Sequence, residues 1–363
     1  MKPLPRPMVQ LSALILTPAL LVACTGTEEP QVALRVALLT DGGATLRTVT
    51  PNADSSAAPV DANRSEAVTG GVTLNSLSGG QRLALTLRGG IESRDSDLND
   101  AQPFAALPFT ETCLVQTVSS AGRDRLLTLS QCLNGPQQLA LYNASGTLIW
   151  TALLRASLPP SPGPDVPPVR LAVLGDVGLV ARPRVGGGSE VLRAAPRTVG
   201  DAVAEVSDPL PTPAIRDLVA YNQDILAATD TGVQRVDATG VPDGTALAAF
   251  GARRSDRLWS GSAGSQNLLA AWRSDALSGQ SAEPLLVWDG NTTRAATTVA
   301  SVSDLRDLTL APDGNLYTLS ASTLTRYNAA LGLQSGNFTP RTLLTGLNDA
   351  RAVVWLVPPL RAD

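Results

Sequence analysis

Ile215-Arg216-Asp217-Leu218-Val219 recurs ninety positions later as Leu305-Arg306-Asp307-Leu308-Thr309, and Gln223-Asp-Ile-Leu-Ala-Ala228 recurs forty-three positions later as Gln266-Asn-Leu-Leu-Ala-Ala271. A unit of about 45 residues, met once singly and once doubled, has the length of a propeller blade. Working outward, a short apolar run after a turn residue can be followed along the chain. It lies around Val36, Leu83, Leu126, Leu179, Ile225, Leu268 and Leu316, in steps of 47, 43, 53, 46, 43 and 48 residues. These runs read as the second strand of seven near-equal units. A third strand follows in Gly232–Asp237, Ser322–Tyr327, Gln138–Asn143 and Leu285–Asp289. The runs are short, alternating or wholly apolar, and are punctuated by Asp-Gly, Pro-Asp-Gly and Gly-Gly. No stretch of 3.6-residue periodicity is long enough for a core helix.

The expectation is an all-β fold, a β-propeller of seven blades, with six or eight as the alternatives. Its ring has to close. Leu34–Thr40 and Gly43–Val49 look like the second and third strands of a unit lacking its first, and Arg351–Val357 like a first strand lacking followers. One blade built from both termini removes the open sheet edge. Pro51 to Gly71, Asn99 to Pro108, Pro159 to Pro168 and Asp208 to Pro213 read as irregular, the Pro-rich third of them as a stiff connection. The chain resembles the bacterial β-propellers of the pyrroloquinoline-quinone-like, NHL and YVTN groups. Ala311-Pro-Asp-Gly-Asn-Leu-Tyr317 and Val233-Gln-Arg-Val-Asp-Ala-Thr-Gly240 carry that resemblance. It implies architecture rather than activity, because the quinone-dependent sugar dehydrogenases of this shape use histidine and lysine positions without a counterpart here.

At the N-terminus, Lys2 and Arg6 precede an apolar stretch from Val9 to Val22, which is broken by Pro18 and too short to span a bilayer. Leu21-Val22-Ala23-Cys24 resembles the lipobox of bacterial lipoproteins. The resemblance implies cleavage before Cys24 and lipidation of its thiol and new amino terminus, with more than one acyl chain giving stable anchoring. Residues 1–23 are then a signal, 24–31 a lipidated tether, 32–358 the propeller and 359–363 a tail. The expected place is the cell envelope outside the cytoplasm, on the outer membrane or the outer face of the cytoplasmic membrane.

Composition excludes much. There is no histidine, and Lys2 is the only lysine. Histidine triads, His-ligated zinc, haem histidine, Schiff-base and Walker-lysine chemistry are therefore absent from the mature chain. Loss of Lys2 and Arg6 takes the net charge from −4 to −6, which leaves no basic footprint for nucleic acid. Cys113 and Cys132 are the only cysteines besides Cys24, and in an oxidising compartment they pair with each other. Facing one another in an antiparallel hairpin, they would centre its bend between Gly122 and Arg123.

No motif names a substrate or a cofactor. Arg216-Asp217 and Arg306-Asp307 start the innermost strand of two units, where they either crowd the mouth of a central channel as binding residues or form ion pairs that satisfy inter-blade loops. Gly186-Gly-Gly-Ser189 reads as a hairpin turn rather than a phosphate cradle, no helix following it. Asp97, Asp100, Glu111, Asp224, Asp230 and Glu283 are the pool from which a glycosidase-like carboxylate pair could be drawn. Trp150, Trp259, Trp272, Trp288 and Trp355 fall mostly on strands and read as core, although Trp259 or Trp272 in a channel would offer a stacking surface. No metal-binding pattern is present. Two functions remain: a monomeric, non-enzymatic scaffold that binds an envelope protein partner, as similar lipid-anchored propellers do, and an envelope hydrolase using paired carboxylates.

Overall fold

Alternation along Arg35–Thr40 points Val36 and Leu38 to one side and Ala37 and Leu39 to the other, and both sides are packed: the first pair joins an apolar cluster with Tyr317 and Leu319, the second one with Leu83 and Leu85. A strand buried on both faces has to be apolar throughout. That is why these runs stand out in the sequence.

In the computed structural model, described over residues 34–51, 61–109, 111–133, 135–156, 163, 165–274 and 284–358, seven antiparallel sheets form the blades of a β-propeller. Blade 1 combines the termini, with Ala352–Leu356 innermost, then Arg35–Thr40, Thr45–Thr50 and Asp61–Ala67. Blade 2 runs Gly71–Leu77, Arg82–Leu87, Gly90–Arg94 and Gln102–Pro103; blade 3 runs Leu114–Ser119, Arg125–Ser130, Gln138–Asn143 and Leu148–Leu153. Blade 4 has Arg170–Leu174, Val177–Pro183 and Ser189–Ala195, its outer edge shared by Glu205–Val206 and Leu210–Thr212. Blade 5 follows with Ile215–Tyr221, Asp224–Thr229, Gly232–Val236 and Pro242–Ala246, and blade 6 with Arg257–Ala263, Gln266–Trp272, Leu285–Trp288 and Thr297–Ala300. Blade 7 is Asp307–Leu310, Asn315–Leu319, Leu324–Asn328 and Arg341–Leu344, with a short helix, Ala329–Ser335, before its outer strand.

Seven apolar clusters fill the seven seams, each drawn from two neighbouring blades. All seven second strands, the third strands and the joining of the termini are as the repeat predicts. The stretches expected to be irregular are not all so. Pro51 to Gly71 holds the outer strand Asp61–Ala67, Asn99 to Pro108 holds Gln102–Pro103, and Asp208 to Pro213 holds Leu210–Thr212. Outer strands are half exposed and short, so they keep polar residues and proline and lose the alternating signal. The signal segment, Cys24, the tether, Glu283 and the tail lie outside the described residues.

Two local features fix a hairpin within blade 3 and the meeting of the termini in blade 1. Cys113 and Cys132 are joined, with Cα atoms 5.0 Å apart. Their hairpin pairs Gln116 with Leu129 and Ser119 with Leu126, the register centred on Gly122 and Arg123, and one shift between Leu114 and Gln116 sets the cysteines beside it. In blade 1, Val36 pairs Trp355 and Leu38 pairs Val353. A Cβ on Gly80 of blade 2, whose φ is +94°, would lie 2.1 Å from the Trp355 ring, so only glycine admits that ring there.

Truncation after Asn348 removes the inner strand of blade 1 and exposes the apolar seams on either side of it. We expect loss of the cooperative thermal transition seen by circular dichroism; a truncated chain melting like the intact one would refute closure through the termini.

Candidate functional site

The first strands of the blades run alongside one another around the axis and enclose a cavity of about 510 Å³. Three arginines, Arg123, Arg170 and Arg257, and two aspartates, Asp217 and Asp307, line it, among serines, threonines and amides that include Asn75, Ser76, Thr117 and Ser119.

At the end where these strands begin, the charged groups bind one another across the seams. Arg170, the first residue of its strand in blade 4, has Nε 3.1 Å from Oδ1 of Asp217 in blade 5 and donates to the Arg216 carbonyl at 3.0 Å. Asp217 Oδ2 accepts from the backbone N–H of Leu258 in blade 6 at 3.0 Å and from Arg257 Nε at 3.3 Å, while Oδ1 accepts from Leu218 N–H at 3.0 Å. Arg257 then reaches the Arg306 carbonyl at 3.3 Å, and Trp259 Nε1 donates to Asp307 in blade 7 at 2.9 Å. Asp307 closes the series by accepting from Val353 N–H of blade 1 at 2.8 Å. Burial raises the Asp307 carboxyl above its ordinary range, against the pull of Arg257 and the N–H donors. Burial likewise lowers the Arg170 guanidinium, with Asp217 opposing the shift.

The two Arg-Asp pairs of the sequence are thus divided. Asp217 and Asp307 line the cavity, while Arg216 and Arg306 do not. Arg216 sits at a bulge and grips Asp230 through Nε at 3.0 Å and Nη2 at 3.2 Å. Arg306 bonds Asp304 at 2.6 Å.

The other described carboxylates of the candidate pool do not converge. Asp97 pairs with Arg35, Asp100 with Arg82 at 3.4 Å, Asp224 with Arg235 at 3.6 Å, and Glu111 is exposed. None of them lines the cavity. Gly186-Gly-Gly-Ser189 turns the hairpin between two strands of blade 4, as read from the sequence. Of the tryptophans, Trp259 borders the cavity with the Arg257 guanidinium 4.9 Å from its ring centre, and Trp150, Trp272 and Trp288 are buried with Nε1 bonded to carbonyls. Among the described residues no cluster of three metal-ligating side chains occurs.

Arg170, Arg257 and Arg123 were not singled out by sequence. The first two carried a usable signal, since each opens the innermost strand of its blade. Arg123 had none, because the glycine beside it is the residue type that left-handed backbone favours.

No protein-family model and no curated protein matches the chain. Solved structures do. A candidate 6-phosphogluconolactonase from Bacteroides uniformis is 12% identical with a TM-score of 0.61, over 90% of this chain and 100% of that one. Its counterpart from Bacteroides fragilis is 11% identical with a TM-score of 0.60, over 90% and 98%. AztD from Citrobacter koseri in its apo form is 10% identical with a TM-score of 0.52, over 88% and 83%. The likeness is one of fold.

Replacing Asp307 with Ala leaves the Val353 N–H and the Trp259 Nε1–H without an acceptor, and Asp217→Ala does the same to Leu258. Each change should lower unfolding stability in urea by about 1–3 kcal/mol per orphaned donor. Glu205→Ala, which breaks an exposed pair with Arg197, should cost less than about 1 kcal/mol. Equal effects at all three positions would contradict the stitching role.

Proposed function

We propose that this chain is a lipid-anchored binding protein of the cell envelope, held outside the cytoplasm through Cys24 and taking its ligand in the central cavity of the propeller. The observation that carries the binding reading is the state of the cavity carboxylates. Asp217 and Asp307 each accept a backbone N–H from the next blade and a second donor from a side chain, which leaves them engaged as structural acceptors. General acid–base hydrolysis needs a carboxylate within reach of substrate and a second at a set separation. Asp97, Asp100, Asp224 and Asp230, which lie outside the cavity, are instead bound to arginines. What the cavity offers a ligand is donors and hydroxyls.

Support for the compartment comes from the lipobox and from Cys113–Cys132, since disulfides persist where thiols are not kept reduced. A protein partner in the envelope finds a surface on the rim of blades 3 and 4. There Leu153 and Val203 are 61% and 68% exposed and Val199 fully so, while Ala202 and Ala204 bond the Thr151 backbone at 3.0 and 2.8 Å. Monomers bound to a membrane through lipid and to a partner through this rim fit a scaffold.

Expression of the full chain in a bacterium with lipoprotein processing, followed by fractionation and intact mass, tests the anchor. The protein should be found in the membrane fraction with an acylated Cys24, and Cys24→Ser should accumulate uncleaved and unacylated. Identical fractionation and mass for the two would overturn the anchor. Assays with glycan and lactone substrates should show no turnover; turnover abolished by Asp307→Asn would replace the binding reading with the hydrolase.

A further inference from the structure

The turn between the first and second strands of a blade passes through left-handed backbone. In blades 4, 5, 6 and 7 the residue with positive φ is Gly175, Asn222, Gly264 and Gly314, and in blade 2 the turn is Ser78-Gly79-Gly80. These are residues that tolerate such a conformation. Blade 3 alone among these turns uses a long side chain, Arg123 at φ +57°, with Gly122 next to it free to have done the work. A bulky residue kept in left-handed backbone points to a use for its side chain.

That side chain lines the cavity at the end opposite Asp217 and Asp307. Its guanidinium carbon lies over the Trp355 ring, 4.0 Å from the ring centre. Among the described residues no carboxylate and no hydrogen-bond acceptor reaches it. Burial with no compensating carboxylate lowers it to about 10, which still leaves it charged at neutral pH. The other charges of the cavity offset each other: Asp217 is bound by Arg170 and Arg257, and Arg257 lies near Asp307. One positive charge is left over, and it is Arg123. Ser76, Ser119 and Thr73 line the same space with hydroxyls.

We propose that the central cavity binds a small hydroxylated organic monoanion whose carboxylate is held by the Arg123 guanidinium. The inference rests on the binding reading above and names its ligand class. The planar guanidinium fork matches a carboxylate, the hydroxyl-lined wall matches a polyol, and the volume of about 510 Å³ accommodates a molecule of that size. A single negative charge balances the one cation left over, whereas a dianion brings a second charge that no further cation of the cavity meets.

Calorimetric titration of the purified protein with D-glucuronate, D-glucose and inorganic phosphate, on wild type, Arg123→Met and Arg123→Lys, tests it. Glucuronate should bind wild type, with glucose and phosphate weaker by roughly tenfold or more. Arg123→Met should lose the same factor, and Arg123→Lys should fall between. Without ligand, Arg123→Met should melt no lower than wild type, because it removes a half-buried charge that no carboxylate offsets and keeps an apolar side chain against Trp355; this distinguishes an anchor for ligand from a structural prop against Trp355. Undiminished glucuronate binding by Arg123→Met, equal binding of glucose, tighter binding of phosphate, or no binding at millimolar glucuronate would each overturn the proposal. Those failures do not bear on the fractionation and turnover tests of the reading above, so the two readings fail separately.

Discussion

Pairing of Ala352–Leu356 with Arg35–Thr40 is the constraint on which the rest of the molecule depends. It joins segments at opposite ends of the chain, so the entropy of closing the whole loop has to be met before any contact across it contributes. The return is that both seams of blade 1 are filled. Val353 and Trp355 pack toward blade 7, and Ala352 and Leu356 toward blade 2. Closure also sets both ends of the cavity. At one end the Val353 N–H meets Asp307, completing the polar series that began at Arg170; at the other Trp355 forms the floor beneath Arg123.

How much of this could be read beforehand follows from how each element is buried. Second strands lie between two neighbouring blades, so Val36 to Leu39 or Leu226 to Ala228 are apolar residue after residue, and that run survives when the rest of the repeat has diverged. Outer strands have no such obligation. Pro242–Ala246 even carries Pro-Asp-Gly, the same signal that truly marks a turn at Pro312-Asp313-Gly314, and takes strand geometry from its neighbour Gly232–Val236. The disulfide was legible because two cysteines and one turn agreed on a register, and a one-residue bulge did not disturb it.

The site was legible only in part, and for a different reason. A repeated Arg-Asp dipeptide marks the position of a mouth but does not say which member faces inward. Asp217 and Asp307 enter the cavity, while Arg216, at a bulge, and Arg306, before its strand, bind other carboxylates. The groups that complete the mouth, Arg170 and Arg257, come from other blades and are united with the aspartates only by the ring. Arg123 is harder still, since the sequence Ser120-Ala121-Gly122-Arg123 does not disclose which residue takes the positive φ. The ring therefore fixes two unlike ends: one where charges satisfy each other and stitch blades 4, 5, 6, 7 and 1 together, and one where a single cation rests on Trp355 with no carboxylate partner among the described residues. The first is a stability device and the second has a cost to stability, a division that binding proteins use when a ligand supplies the missing charge.

Native-state hydrogen exchange of the blade 1 amides tests the central claim most directly. If closure through the termini holds the ring, the paired amides of Arg35–Thr40 and Ala352–Leu356 exchange only through global unfolding, with a denaturant dependence equal to that of the core of blades 5 and 6. Exchange of these amides by a local opening well below the global free energy, with the other blades still protected, would contradict it.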